Sequence, residues 1–101
     1  MFMNRAEIFY KKVIEIVCRE CMTDPVMMFS NNKEKNVDAR GVTVVILTEY
    51  KFSESIISEL TGLTQQAVNR LKNIYPGRIK KHFILQNVVQ QIHNELTVTS
   101  Q

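Results

Sequence analysis

Residues 54–73 read ESIISELTGLTQQAVNRLKN, and this stretch decides the fold that we expect. A short helix over Glu54 to Thr61, capped by Ser53, ends at Gly62, a residue type that accepts the positive φ of a tight turn. Thr64 then caps a second helix, and the small Ser58 lies where the two helices cross. The apolar contacts expected to hold the second helix across the first are Ile57, Leu60, Leu63, Val68 and Leu71. The pattern predicts a helix-turn-helix over residues 54–75.

The outer face of the second helix has a composition typical of DNA readers. Asparagine and glutamine amides pair bidentately with adenine, and arginine pairs with guanine, in the major groove. No acidic residue lies between Leu60 and Gln86, so nothing in this stretch repels phosphate. The alternative is a helical hairpin whose polar face simply meets water. Thr64, at the start of the helix, is a further predicted DNA contact, and the predicted base-reading residues are Gln65, Gln66, Asn69, Arg70 and Asn73.

Apolar residues recur at three- and four-residue spacing on both sides of this motif, which predicts an all-α domain of five to six helices. Val42 to Leu47 is rich in β-branched residues, so a strand competes with helix there. The dipeptide Pro76-Gly77 is expected to break the chain between the last two helices. Besides the pair already described, the predicted helices are Asn4 to Met22, Pro25 to Phe29 after an Asp24 cap, Asp38 to Lys51 with Asp38 as cap, and a C-terminal helix over 78–96; the recognition helix runs from Gln65 to about Tyr75.

Between these helices we expect a polar loop over Ser30 to Asn36 and, at the end, a frayed tail over Thr97 to Gln101. Buried stripes are predicted on the first and last helices. The first stripe contains Ile8, Phe9, Val13, Ile16 or Val17, and Cys21, and the last contains Leu85, Val88 or Val89, Ile92 and Leu96.

At 101 residues, with 45% hydrophobic and 23% charged residues, the chain is expected to form a single domain over 1–101. The charged residues among Met1 to Tyr10 do not fit a signal peptide, and the longest uncharged apolar run, Val42 to Thr48, is too short for a membrane span. Cys18 and Cys21 are expected to be packing residues on one helix face, because His82 and His93 are too scattered to complete a zinc site. We therefore expect a cytoplasmic, nucleoid-associated protein with no metal or cofactor.

Positive charge is concentrated in the second half of the chain. Residues 1–61 carry eight basic and nine acidic side chains, whereas residues 62–101 carry five basic side chains and only Glu95 as an acid. A basic half on a small domain points to a polyanion, since phosphate neutralisation supplies most sequence-independent affinity for DNA. Arg78, Lys80 and Lys81 are expected in the first turn of the last helix, where the helix dipole disfavours cations. That local electrostatic cost points to an anionic partner. The predicted backbone contacts are Lys33, Lys35, Lys72, Arg78, Lys80 and Lys81.

From Ile14 to about Ile74 the chain resembles the C-terminal DNA-binding domain of the bacterial replication initiator DnaA. The similarity lies in a helix ending in Val17-Cys18, a short helix, a basic loop, and Val37-Asp-Ala-Arg40 opening a long helix. Phe52-Ser-Glu-Ser-Ile-Ile57, Gly62 and Val68 follow at the family's spacing. The resemblance implies a tryptophan-repressor-like helix-turn-helix with Lys33 as a minor-groove loop contact and Arg40 facing phosphates. The family's box-reading Arg-Asp-His-Thr-Thr-Val signature is replaced by Leu63-Thr-Gln-Gln-Ala-Val68, which indicates a divergent, stand-alone relative.

Other functions have weaker sequence support. An enzyme is not expected, because no nucleophile has a matching base at a useful spacing, and the three scattered glycines make no phosphate-binding loop for a nucleotide. The alternative to sequence-specific binding of double-stranded DNA, in regulation of replication or transcription, is a protein-interaction adaptor. The apolar side of the last helix could pack on the core or pair with a second copy, and a homodimer would suit two half-sites about one turn of DNA apart.

Overall fold

A computed structural model describes the backbone of residues 4–99 and the side chains of residues 4–98. Six helices and no strand occur within this range, so the predicted all-α class is confirmed, and the β-branched run Val42 to Leu47 is helical. None of these helices is long and apolar enough to cross a membrane. The helices are α1 (Arg5–Cys21), α2 (Pro25–Ser30), α3 (Glu34–Glu49), α4 (Glu54–Thr61), α5 (Gln65–Lys81) and α6 (Phe83–Thr99).

Helix α1 begins with a reciprocal cap in which the Asn4 side chain accepts from the Glu7 backbone N–H, while Glu7 accepts from the backbone N–H of Asn4. It ends at Met22 in the left-handed conformation. Val13, Ile16 and Val17 are fully buried, as their spacing predicts. Ile8 is 54% exposed, so its predicted place in the buried stripe is wrong. The buried residues of α1, which packs against α3 and α6, are Val13, Ile14, Ile16, Val17 and Cys18.

Helix α3 is the centre of the core, because α1, α2, α4, α5 and α6 all pack against it. Its fully buried residues include Val42, Val44, Ile46 and Leu47. These residues cover more than one face of the helix, which is the pattern of a helix surrounded by others rather than one with a single apolar stripe.

The predicted start of α3 at Asp38 is wrong, since the helix begins at Glu34, one turn earlier. The polar residues expected to form a long loop are used inside the helix instead. Asn36 is fully buried, accepts a hydrogen bond from the Thr23 hydroxyl, and donates to Asn31. Asp38 is a buried partner for α5 rather than a cap. The connection between α2 and α3 is therefore only residues 31–33.

Helix α5 continues through Pro76 to Lys81, so the predicted break at Pro76-Gly77 is wrong. A proline inside a helix removes one backbone hydrogen bond and costs about 3 kcal/mol. Here the residues on both sides of Pro76 are held by one carboxylate. The Tyr75 hydroxyl and Arg78 Nε each donate to Asp38 Oδ1 at 2.8 Å, and this tertiary anchoring opposes the local tendency of the proline to end the helix.

Helix α6 begins at Phe83 rather than Arg78, and His82 is the single residue that separates it from α5. Its predicted apolar stripe is confirmed, because Leu85, Val88, Ile92 and Leu96 are buried in the chain's own core. Glu95 pairs with Arg19 of α1. The predicted frayed tail is wrong for residues 97–99, which remain helical, and residues 100 and 101 lie outside the described part of the chain.

Alanine substitutions at two glycines are expected to have opposite effects, and they test the end of α4 and the continuity of α5. Gly62 has φ +79°, which disfavours any side chain, whereas Gly77 lies within the helix with open space where a Cβ would be added. We expect Gly62→Ala to destabilise the fold by about 1 kcal/mol and Gly77→Ala to stabilise it by about 0.5–1 kcal/mol. Thermal and urea unfolding of both variants measures the difference. Destabilisation by Gly77→Ala would contradict a continuous α5.

Candidate nucleic-acid interface

The junction between α4 and α5 is a three-residue turn held by side-chain hydrogen bonds. Gly62 adopts φ +79° and its backbone N–H donates to the Ser58 carbonyl. The Ser58 hydroxyl donates to the carbonyl of Leu63, which ties the first helix to the turn. Thr64 accepts from the Ala67 N–H at 3.1 Å and caps α5, as predicted. Ile57 and Val68 are buried, and Leu63 and Leu71 pack partly against the same core, so α5 is firmly seated across α4.

At the start of α5 the side chains most available to a partner are Gln65, Gln66 and Arg70. All three are exposed, and none makes a hydrogen bond or an ion pair within residues 4–99. They lie beside the N-terminal end of a 17-residue helix, where the helix dipole adds positive potential. This end of α5 therefore presents two amides and one guanidinium to solvent with their donors unsatisfied by the protein.

The other predicted base readers, Asn69 and Asn73, belong to a hydrogen-bonded chain centred on Glu54. Glu54 Oε2 accepts from Asn69 Nδ2 at 2.8 Å and from Lys72 Nζ at 3.1 Å. Asn73 Nδ2 donates to Asn69 Oδ1 at 3.2 Å. The bond from Asn69, followed by that from Lys72, lowers the pKa of Glu54. In this arrangement Asn69 has one donor and its acceptor engaged, and Lys72 is ion-paired, so these residues brace α5 against α4.

The basic residues Arg78, Lys80 and Lys81 lie in the last turn of α5, and the prediction that they open a helix is wrong. Cations at a helix C-terminus are favoured by the dipole, so their position carries no local cost. Arg78 is committed to the fold, because it bonds Asp38 and also Glu34. Lys80 and Lys81 are exposed and make no ion pair within the described residues.

Of the three predicted DNA contacts near the start of α3, one side chain is exposed and two are hydrogen-bonded within the protein. Lys33 is exposed at the N-cap of α3, while Lys35 lies inside the first turn and its Nζ donates to the Met22 carbonyl at 2.9 Å. The Nη2 atom of Arg40 donates to the Asn31 carbonyl and, at 3.2 Å, to the Asn32 side chain. The Nε atom of Arg40 is buried without an acceptor among the described residues.

Sequence reasoning missed the two acids that organise this surface. From the sequence alone, Glu54 is only the first residue of a short helix and Asp38 is a candidate cap. The spacing of Glu54, Asn69 and Lys72 holds no signal of its own, because their contact depends on how α5 crosses α4. The available clue was the excess of cations on α5, which would need acidic partners wherever they are half-buried.

The two cysteines are free and occupy packing positions, as predicted. Cys18 is buried with its Sγ 3.9 Å from the Met28 Sδ, and Cys21 is half-buried against the core. Burial raises the pKa of Cys21 to about 11, which disfavours a reactive thiolate. Among residues 4–99 no group of three histidine, cysteine or acidic side chains is arranged to hold a metal ion.

Comparisons with protein-family models, with curated proteins and with solved structures found no match to this chain. The resemblance to the initiator's DNA-binding domain therefore stays a prediction from the sequence.

Proposed function

We propose that α4 and α5 act as a helix-turn-helix and that the chain binds double-stranded DNA sequence-specifically, with the start of α5 in the major groove, as a regulator of replication or transcription. The observation that carries the proposal is the exposed, acid-free face of α5. Its first two turns offer Gln65, Gln66 and Arg70, which have no side-chain partner among residues 4–98. Amides and a guanidinium in this position have the donor and acceptor geometry that base edges require.

Several cations of α5 make no ion pair among the described residues, and these cations support a polyanionic partner. The helix contains five cations and no acid. Lys72 is paired with Glu54 of α4, and Arg78 is paired with Asp38 of α3. Arg70, Lys80 and Lys81 have no acidic partner among the described residues. Lys33 adds a further exposed cation at the start of α3. About three phosphate contacts, from Lys33, Lys80 and Lys81, predict a logarithmic salt slope of roughly −2 to −4.

The contacts also divide the predicted DNA-binding residues by role. Gln65, Gln66 and Arg70 are assigned to base edges, and Lys33, Lys80 and Lys81 to phosphates. Four residues are assigned to holding α5 in place, because their polar groups are already bonded within the protein. They are Thr64, Asn69, Lys72 and Arg78.

The first test is binding of a labelled mixed-sequence duplex followed by fluorescence anisotropy across a salt series. Wild-type protein is expected to bind below about 100 mM salt, with affinity falling steeply as salt rises. Arg70→Glu is expected to lower affinity at least tenfold, since it removes a free cation and puts a carboxylate against the duplex. Lys11→Glu, which makes the same charge change at an exposed site on α1, is the matched control and is expected to change affinity less than twofold.

Gln66→Ala separates base reading from backbone binding. After site selection from random duplexes, this variant is expected to lose about 1–3 kcal/mol of discrimination at one base pair while keeping the wild-type salt slope. Circular dichroism and thermal unfolding of every variant confirm that the fold is intact. Absence of binding by wild-type protein at about 50 mM salt, or equal losses in Arg70→Glu and Lys11→Glu, would contradict the proposal.

A second candidate function, a protein-interaction adaptor, is favoured by one observation on α6. Phe83 and Ile84 are adjacent and about three-quarters exposed, although the apolar stripe of the same helix is buried in the core. A homodimer or other complex would therefore form through these two side chains rather than through Leu85, Val88 and Ile92. Sedimentation velocity of wild type and of Phe83→Ser/Ile84→Ser tests this, with a concentration-dependent shift lost in the variant as the expected result.

A further inference from the structure

Beside α5 lies an apolar groove whose lining includes Arg70 as the only one of the proposed base-reading residues. It has a volume of about 340 Å³ and lies between the start of α3 and the side of α5 that faces it. The volume is at the small end of the range typical of ligand pockets, about 300–1,000 Å³. Its apolar lining comes from Val37, Leu63, Ala67, Leu71 and Ile74, together with the ring of Tyr75.

Charge in this groove has a single sign. Arg40 from α3 and Arg70 from α5 both line it, Asn32 is its remaining polar residue, and no acid is among the lining residues. Arg70 has no partner within the described chain, and Arg40 has a buried Nε without an acceptor. A buried donor that lacks an acceptor costs free energy, and an arginine fork is well matched to a carboxylate.

We propose that this groove binds a small molecule with an aromatic or branched aliphatic body and one carboxylate. The body would rest on the apolar lining, and the carboxylate would accept from Arg40 and Arg70. A phosphate group alone fits the groove poorly, because it is strongly hydrated and only three of the nine lining residues carry side chains of amide or guanidinium type.

Such a ligand would alter the DNA-binding surface, and this consequence rests on the proposed function. Pairing Arg70 with a carboxylate removes one of the free cations of α5 and reorients a proposed base reader. The ligand is therefore expected to weaken DNA binding and to relax specificity at the base pair that Arg70 contacts. Binding of the ligand itself is independent of DNA, so the two proposals fail separately.

The test is an NMR titration of ¹⁵N-labelled protein, without DNA, using 3-phenylpropanoate as the probe. Saturable shifts are expected at the amides of Val37, Leu71 and Ile74, with a Kd on the order of 1 mM, as for a fragment of this size. The amide of the same acid, 3-phenylpropanamide, keeps the ring but lacks the charge, and is expected to bind at least tenfold more weakly. Propanoate, which keeps the charge but lacks the ring, is expected to give no saturable shift.

Two variants place the site within the groove. Arg40→Met removes one of the two cations, and Ala67→Leu fills the groove from α5, so each is expected to raise the Kd at least tenfold. Lys11→Met on α1 is the matched control and should leave the Kd unchanged. The proposal is overturned if the carboxylate gives no saturable shift up to about ten times the expected Kd, if the amide binds equally well, if the shifts lie outside the groove, or if folded Arg40→Met binds as wild type does.

Discussion

Gly41→Ala is expected to destabilise the fold by about 2–4 kcal/mol, although alanine is the better helix former. Gly41 is a buried residue within α3, and the ring of Tyr75 lies directly against it. An added Cβ would lie 2.3 Å from Tyr75 Cγ, at the root of the ring, where a rotation of the side chain gives little relief. The hydroxyl at the other end of the ring is held by Asp38, so the ring cannot withdraw without losing that bond.

Urea unfolding followed by circular dichroism measures the loss in free energy of unfolding. In thermal unfolding a fall in Tm of at least roughly 10 °C is expected. Gly77→Ala, in the open part of α5, is the control for the intrinsic benefit of alanine. The double variant Gly41→Ala/Tyr75→Leu is expected to recover part of the loss, since leucine vacates the space beneath the ring. Stabilisation by Gly41→Ala would mean that α3 and α5 do not approach this closely.

Asp38→Asn is expected to cost about 2–3 kcal/mol, because one carboxylate serves both Tyr75 and Arg78. Removing one partner of a fully buried ion pair costs about 3–5 kcal/mol. The expected loss is smaller here, since the Arg78 side chain is 29% exposed and keeps its bond to Glu34. Glu34→Gln is the matched control. It removes the other partner of Arg78, but the Glu34 side chain is 78% exposed, so a loss below about 0.5 kcal/mol is expected.

Tyrosine titration gives Asp38→Asn a second readout. Burial, followed by the bond to Asp38, raises the pKa of Tyr75 to about 12. Because the folded pKa lies above the unfolded value of about 10, the stability that this group contributes is present in full below pH 10 and is lost as pH rises towards 12. Asp38→Asn is expected to lower the Tyr75 pKa in an ultraviolet absorbance titration, with Tyr75→Phe identifying its signal. Equal stabilities of Asp38→Asn and Glu34→Gln would contradict the anchoring role of Asp38.

Local signals in the sequence were sufficient to predict most of the fold. The Ser53 and Thr64 caps and the positive φ of Gly62 depend on residues no more than three positions away, and all three are present in the structure. The alternation of buried and exposed residues along α6 was equally readable, because that helix has one apolar stripe facing one core.

The errors at Asp38 and at Pro76-Gly77 share a physical cause, which is a contact between residues far apart in the chain. Pro76-Gly77 favours a break locally, and only the bonds from Tyr75 and Arg78 to a residue of α3 explain why α5 continues. Asp38 has the composition of a cap, and its burial depends on a tyrosine 37 positions later. Within the candidate interface the residue types were readable, but which side chains are already bonded was not, because Glu54 selects Asn69 and Lys72 only once α5 crosses α4.

The unbroken α5 also sets a separation between two parts of the molecule. From Gln66 to Lys81 the helix rises about 22 Å at 1.5 Å per residue, whereas the major groove is about 12 Å wide. In the proposed complex the first turns of α5 lie in the groove, and Lys80 and Lys81 at its far end reach the phosphates at the edge of the duplex. Phe83 and Ile84 follow immediately after that end. A partner held by these two side chains would lie beyond the phosphate edge and away from the bases, so the same small domain would hold its DNA site and a second molecule at opposite ends of α5.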